Sequence, residues 1–140
     1  MDRRTAIRNL ALVIGGAALL PSCTEHNPVA HFKHFDIASD QQKLITDMAE
    51  TIIPKTTTPG AIDLNLYGFI MKMVDDCSKK EDQKVFLKGM DEFKDVPKKL
   101  YNKTFAECSK KEKEEVLRSF EKKDNTYSKD MQAFVGTVKG

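Results

Sequence analysis

The sequence predicts an all-α fold: a small bundle of four to five helices that follows a signal or lipoprotein leader and a tether. Three observations support this class. Apolar residues recur at spacings of three and four through most of residues 39–140, which is the pattern of helices with one buried face. Three Ser-x-x-Gln or Ser-x-x-Glu boxes, which cap helix N-termini, precede such patterns. The period-two alternation of a half-buried strand is not strong anywhere.

Residues 1–22 show the order of a secretory signal: charged residues first, then an apolar run, then small residues. The run from Leu10 to Leu20 has 11 residues, which is too short for a membrane-spanning helix of about 20 residues. The paired arginines Arg3 and Arg4 before this weakly apolar run resemble a twin-arginine export signal. An ordinary secretory signal is the alternative.

The segment Leu20-Pro21-Ser22-Cys23 resembles a lipobox, the motif at which a bacterial lipoprotein is lipidated on its cysteine and cleaved just before it. We therefore expect lipidation of Cys23 and a mature chain that starts there. The expected location is the bacterial cell envelope, on the periplasmic side and lipid-anchored to the membrane. A plain signal peptide followed by an unrelated cysteine is the alternative.

Residues 23–38 are interpreted as a tether between the anchor and the folded domain, because they show no sustained helical period. They also hold all three histidines of the chain. His31 and His34 have the spacing of a helical metal pair, but no cysteine or acidic residue is clearly placed to complete a tetrahedral site. We interpret them as incidental histidines in a polar linker.

The first predicted helix opens with a capping box formed by Ser39 and Gln42, and Pro54 ends it. A loop follows over residues 55–61. The second predicted helix runs from Asp63, which can cap it, to Cys77. Its apolar residues are expected on the inward face: Leu66, Phe69, Ile70, Met73, Val74 and Cys77.

Three more helices are predicted before the chain ends. Boxes at residues 78–81 and 109–112 open the third and fourth helices, and Pro97 ends or kinks the third. Gly89 weakens the third helix by about 1 kcal/mol relative to alanine, which suggests a close neighbour there. The last pattern starts near Ser128 and stops at Gly140 with its apolar face unpaired. We therefore expect residues 39–140 to be a shortened form of a longer domain, with a frayed terminal helix as the alternative.

The charge balance argues against nucleic-acid binding. The chain has 23 Lys+Arg and 21 Asp+Glu, and the excess lies in the leader, so the mature part is neutral. Independent catalysis is also disfavoured. No histidine follows position 34, and no paired C-x-x-C or dinucleotide-binding glycine motif is present.

Cys77 and Cys108 remain after Cys23 is assigned to the anchor. A disulfide between them would suit an oxidising compartment and close a loop of about 30 residues. Two free thiols, or a partner cysteine outside this sequence, are the alternatives.

Residues 44–93 resemble the gluconate 2-dehydrogenase subunit 3 family. The pieces that carry the resemblance are Ile52-Ile53-Pro54-Lys55-Thr56, Thr58-Pro59-Gly60-Ala61, Phe69-Ile70 and Asp76-Cys77. The resemblance implies a non-catalytic accessory subunit of a periplasmic flavin-dependent sugar or sugar-acid dehydrogenase. FAD would belong to the large partner subunit and haem c to a cytochrome c subunit, with no cofactor in this chain. The small subunit would carry the twin-arginine signal for the folded flavoprotein and stabilise it.

Two regions are candidate contacts with that partner. The loop contributes Lys55, Thr58, Pro59 and Gly60, since loops on a rigid scaffold often carry function; a structural turn is the alternative. Tyr67 beside Met71, and Tyr101 near Phe105, could form apolar docking patches, or could close the domain's own core. A free-standing envelope lipoprotein that acts as a binding or scaffold module is the alternative to the accessory-subunit function.

Overall fold

The computed structural model describes residues 28–122 and 125–140, so Arg3, Arg4 and Cys23 lie outside the described residues. Two short strands come first and six helices follow. They are β1 (Pro28–His31), β2 (Asp36–Ala38), α1 (Ser39–Ile52), α2 (Leu66–Cys77), α3 (Lys80–Phe93), α4 (Asp95–Tyr101), α5 (Lys110–Ser119) and α6 (Lys129–Lys139). The prediction of a small all-α bundle is confirmed, with a short β-hairpin added at its start. Among the described residues, no helix combines the length and apolar character needed to cross a bilayer.

The core is built from the apolar stripes of the helices and holds a cluster of aromatic rings. Phe93 lies at its centre, with the rings of Phe105, Phe120 and Phe134 packed against it at centroid distances of 5.5–5.7 Å. Edge-to-face and offset contacts of this kind add to the free energy gained by burying the rings. The five predicted helices share this core, which is why their periodic patterns were visible in the sequence.

Helices α3 and α6 form the tightest pair, and Gly89 is the reason. A Cβ atom at Gly89 would overlap the carbonyl oxygen of Asp130 and come within 2.8 Å of the Phe134 Cβ. The missing side chain therefore lets the two backbones approach each other. The close neighbour predicted at Gly89 is confirmed.

Two of the predicted helix starts are confirmed and two are wrong. Ser109 caps α5 in a full capping box with Glu112, and the Ser128 hydroxyl accepts from the backbone N–H of Met131 at the start of α6. The cap of α1 is Ala38, whose N–H donates to the Gln41 side chain at 3.0 Å, so Ser39 is the first helical residue. The cap of α3 is Lys79. Both starts differ from the predicted boxes by one residue.

Two predicted boundaries also shift. Helix α2 starts at Leu66 instead of Asp63, because residues 61–65 form a turn that ends with Asn65 in the left-handed region at φ 49°. Helix α3 ends at Phe93, before the predicted stop at Pro97. Pro97 lies in the first turn of α4, where its missing N–H leaves no helical hydrogen bond unmade.

The predicted tether is wrong for residues 28–38, which pack on the bundle. β1 and β2 pair antiparallel, with Pro28 opposite Ala38. Ile37 is fully buried, and the rings of Phe32 and Phe35 lie against the core 5.4 Å from each other. The sequence pattern predicts that the apolar residues of this segment belong to a linker. In the structure, these residues pack against the helices and hold the segment on the bundle. Any free tether is confined to residues before Pro28.

The hairpin turn is held by Asp75, near the end of α2, in a contact that we call the latch. Asp75 is only 5% exposed. Its carboxylate accepts from the backbone N–H groups of Lys33 at 2.9 Å and His34 at 3.0 Å, and the His34 Nδ1 lies 2.9 Å from Oδ1. A buried carboxylate is tolerated only when such donors surround it.

The side chain of Gln83 completes this corner. Its amide nitrogen donates to the carbonyl oxygens of Val74 and Asp75, both at 3.1 Å, which are among the last of α2. Carbonyls at the end of a helix have no partner within the helix, and a buried amide is one way to satisfy them. The start of α3, the end of α2 and the hairpin turn are thereby joined.

We predict that replacing Gly89 and Gly136 by alanine has opposite effects on stability. Gly89→Ala should lower the free energy of unfolding by about 1–3 kcal/mol, because the methyl group would push α3 from α6. Gly136→Ala is the matched control, since nothing lies within 4 Å of its Cβ position, and it should stabilise α6 by up to about 1 kcal/mol. Urea unfolding followed by circular dichroism measures both. Equal effects would contradict the close contact at Gly89.

We predict that the latch stabilises the domain in a pH-dependent way. Burial alone would raise the pKa of Asp75, but the hydrogen bonds from Lys33 and His34 outweigh it and hold the pKa below its ordinary value of 3.8. The stabilisation by Asp75 is fully present when the pH lies above the pKa of this carboxyl in the unfolded chain. It is lost as the pH falls through the lower pKa of the same carboxyl in the folded protein. Asp75→Asn should cost roughly 1–3 kcal/mol near neutral pH, since it removes one acceptor.

Unfolding free energies of both proteins between about pH 7 and pH 3 test this, and the difference between them should shrink towards the acid end. Asp76→Asn is the matched control, because the neighbouring carboxylate makes only an exposed ion pair with Lys33 and should contribute less than about 1 kcal/mol. If the Asp75→Asn variant is as stable as wild type near neutral pH, the latch does not stabilise the domain.

Candidate docking surface

The loop between α1 and α2, residues 53–65, is held in part by the carboxylate of Glu50 at the end of α1. Glu50 accepts from the backbone N–H of Lys55 at 3.0 Å through one oxygen and from that of Ile62 at 3.1 Å through the other. The N–H of Ala61 donates to the carbonyl oxygen of Ile53 at 2.9 Å, and Ala61 is buried. The loop is therefore closed at its base by main-chain hydrogen bonds and has a fixed shape.

The predicted contact residues Lys55 and Gly60 contribute to this closure. The N–H of Gly60 donates to one carboxylate oxygen of Asp63 at 3.1 Å, and the Lys55 Nζ lies 3.0 Å from the other. The hydrogen bond from Lys55, with that from Gly60, lowers the pKa of Asp63. A Cβ at Gly60 would lie 2.5 Å from the Lys55 backbone nitrogen, so only glycine allows this close approach. Thr58 and Pro59 are exposed at the tip.

The side chains that this loop and α2 present to solvent are apolar. Six large apolar side chains stand out as exposed in the described part of the chain. Five of the six belong to this region. Phe69 is 63% exposed and Ile62 is 60% exposed. We call the set the apolar surface, and its members are Ile53, Ile62, Leu64, Phe69 and Met73. Clustered apolar exposure of this kind marks an interaction site more often than scattered apolar residues do.

A groove of about 500 Å³ runs along one side of the apolar surface. Phe69, Met73 and Cys77 of α2 line one wall, and Val138 at the end of α6 lines the other. Ile53 lies at its end nearest the loop. The groove extends the exposed apolar area from the loop along the length of α2.

Helix α2 is apolar on two sides, which corrects the face that the sequence predicted to be inward. Met71 and Val74 are buried in the core, whereas Phe69, Met73 and Cys77 face solvent. The prediction grouped the apolar residues of α2 on a single buried face. A helix that is apolar almost all round is expected to be covered on every side. The apolar residues on two sides of α2 are visible in the sequence, and they could have been used to predict the apolar surface.

The aromatic patches predicted for docking are mostly interior. Met71 and Phe105 are buried, so the alternative, that they close the domain's own core, is confirmed for them. The Tyr101 hydroxyl donates to Glu115 at 2.6 Å, and this hydrogen bond raises the pKa of Tyr101 to about 12. Tyr67 is half-buried, burial raises its pKa, and its hydroxyl has no hydrogen-bond partner within residues 28–122 and 125–140.

Both cysteines of the described domain are free thiols, so the candidate disulfide between Cys77 and Cys108 is absent from the structure. Their surroundings differ. Cys77 is exposed at the end of α2, where its Sγ lies 3.9 Å from the Met73 sulfur. Cys108 is buried in the turn before α5, and burial raises the pKa of its thiol.

The two histidines within the described residues each lie beside a carboxylate. His31 lies 2.9 Å from Asp36 across the hairpin, and His34 belongs to the latch. No group of three or more histidine, cysteine, aspartate or glutamate residues is placed to hold a metal ion within the described ranges. The apolar surface is thus the feature that most clearly suggests a function.

Comparison with known proteins gives one match. A family model described as gluconate 2-dehydrogenase subunit 3 matches residues 39–140, a range that contains all six helices of the described residues. Comparisons with curated proteins and with solved structures gave no match.

Proposed function

Because the chain belongs to the gluconate 2-dehydrogenase subunit 3 family, we propose that it is the small accessory subunit of a periplasmic flavin-dependent sugar or sugar-acid dehydrogenase. In this proposal the large subunit carries FAD and oxidises the substrate, and a cytochrome c subunit accepts the electrons. The present chain binds the large subunit, stabilises it and supplies its export signal and membrane anchor. It performs no reaction of its own.

The observation that carries the proposal is the apolar surface on the loop and α2. Burying an exposed side chain of the size of Phe or Leu contributes about 1.5–3 kcal/mol. The five side chains of the apolar surface are 44–63% exposed, so burying what remains exposed yields roughly half of that amount for each, and this gain contributes to a stable contact. An apolar patch of this kind suits a permanent subunit contact better than a transient encounter.

The rigidity of the loop supports the same function. Glu50 and Asp63 fix the backbone of residues 55–62 through hydrogen bonds to main-chain N–H groups. Ile62 and Leu64 are therefore presented in one arrangement before any partner arrives. Preorganisation of this kind lowers the conformational entropy lost on binding.

The export and anchoring roles rest on the leader, which lies outside the described residues. The twin-arginine route accepts folded proteins, so the pair Arg3 and Arg4 on this chain can direct export of a partner already bound to it. Cys23 would then carry acyl chains that hold the complex at the membrane. A neutral helical domain with an apolar surface is suited to this carrier role.

We predict that Phe69→Asp abolishes the contact with the flavoprotein, whereas Leu100→Asp leaves it intact. Both side chains are more than half exposed, at 63% and 53%, so neither change should affect folding. Only Phe69 belongs to the apolar surface, since Leu100 lies on α4. The loss of one buried aromatic contact should weaken binding by about tenfold or more.

The measurement is affinity purification of the tagged chain from its native cell envelope, with FAD absorbance and mass spectrometry of the bound polypeptides. A flavoprotein should accompany the wild type and Leu100→Asp, and Phe69→Asp should lose it. Wild-type recovery with Phe69→Asp would show that docking uses another surface. Absence of any flavoprotein from the wild type would contradict the accessory function and favour a free-standing envelope lipoprotein.

We predict that changing Arg3 and Arg4 together to lysine leaves the dehydrogenase in the cytoplasm. The twin-arginine receptor recognises the arginine pair, so the partner would lose its only address. Dehydrogenase activity in separated periplasmic, membrane and cytoplasmic fractions measures the effect. Arg8→Lys is the matched control, because it changes an arginine of the same leader outside the pair. Export unaffected by the double change would assign the signal to another subunit.

A further inference from the structure

The described domain has two opposite ends, and the first contains the hairpin. Here the base of the hairpin, where Pro28 pairs with Ala38, leads directly into α1. The end of α3 closes the same region, because Lys94 bonds Asp40 at 2.9 Å. We call this region the hairpin end.

The loop of residues 53–65 forms the second end, which we call the loop end. The 14 residues of α1 separate the two ends by about 21 Å. Helix α2 runs back from the loop end to the hairpin end. At the loop end, the N–H of Leu66 donates to the carbonyl oxygen of Ala61. At the hairpin end, the carboxylate of Asp75 accepts from the N–H of Lys33. Ile62 and Leu64 of the apolar surface therefore lie at the loop end, remote from the point where residues 1–27 join the domain.

The latch determines how much chain separates Cys23 from the folded domain. From Cys23 to Pro28 there are five peptide steps, which span at most about 18 Å when fully extended. If the hairpin were unfolded, the same chain would run to Ala38 and could span about 54 Å. Packing of residues 28–38 on the bundle thus removes two thirds of the reach.

We propose that the hairpin end of the lipidated protein faces the lipid headgroups and that the loop end is held away from the membrane. The proposal rests on the anchoring of Cys23 in the proposed function. If the loop end lay on the bilayer, Pro28 would stand about 21 Å above it, beyond the 18 Å that the tether can span. A tether of 54 Å would allow either orientation.

The side chains at the hairpin end fit a headgroup layer. Lys33 and His31 are well exposed there, paired with Asp76 and Asp36. Within residues 31–38 of the hairpin, no large apolar side chain is among the most exposed of the described residues. Three members of the apolar surface, Ile53, Ile62 and Leu64, lie at the loop end and stay accessible to a protein partner instead of inserting into lipid, whereas Met73 lies nearer the hairpin end.

The test attaches the lipid chemically. A chain that begins at Cys23 contains the whole core cluster, which runs from Ile37 to Val138. Native chemical ligation joins a phospholipid thioester to its N-terminal cysteine and leaves Cys77 and Cys108 unmodified. The product is placed on nanodiscs whose headgroups carry chelated gadolinium, and methyl NMR signals of isoleucine and leucine report their distance from the membrane surface.

We expect gadolinium to broaden the Ile37 signal several-fold more than those of Ile62 and Leu64. The control is a Gly/Ser insertion of about 20 residues between Asn27 and Pro28, which adds about 25 Å of reach and should make the broadening nearly equal. Equal broadening in the chain without insertion, or stronger broadening at Ile62 and Leu64, would overturn the proposal.

Because the lipid is added in vitro, this result does not depend on whether the cell acylates Cys23. Mass spectrometry of the chain isolated from cell envelopes answers that separate question. An unacylated Cys23 would contradict the anchoring part of the proposed function, while the broadening pattern would still decide the orientation that the short tether imposes.

Discussion

The buried carboxylate of Asp75 is the interaction on which the arrangement of this domain depends. A charge with 5% exposure must be surrounded by donors, and here the donors come from the hairpin turn. The carbonyl oxygen of the same residue accepts from Gln83 of α3. One residue near the end of α2 therefore fixes the hairpin and α3 in relation to α2. Without it, only the apolar contacts of Phe32, Phe35 and Ile37 would hold the hairpin on the bundle.

Helix α2 connects the stability of the domain with its proposed function. Its inner side contributes Met71 and Val74 to the core, and its end provides the latch. Its outer side contributes Phe69 and Met73 to the apolar surface. The core and the latch hold the helix in place, so the outer side chains are presented without any change in the fold. In the proposed function, this arrangement would let a small helical domain offer a firm contact to a larger protein.

Sequence patterns predicted the elements that are determined by residues close together in the chain. They failed for the elements whose structure depends on contacts between distant parts of the chain. The helices follow from apolar spacing, and the Ser109–Glu112 box from residues three positions apart. The hairpin depends on Asp75, about 40 residues away from its partners along the chain, so no local pattern reveals it. The outward position of Phe69 was missed because periodicity identifies an apolar face but does not tell whether the domain itself or another protein covers it.

The way in which Glu50 holds the loop has a consequence for how this protein can change over evolution. Its carboxylate accepts hydrogen bonds from the main-chain N–H groups of Lys55 and Ile62, and these bonds do not involve the side chains of the two residues. Substitutions at Ile62 or Leu64 can therefore alter the chemistry of the exposed face while the backbone beneath keeps its path. In the proposed function, selection for a different large subunit would act on a few surface positions and leave unchanged the scaffold that folds and positions them.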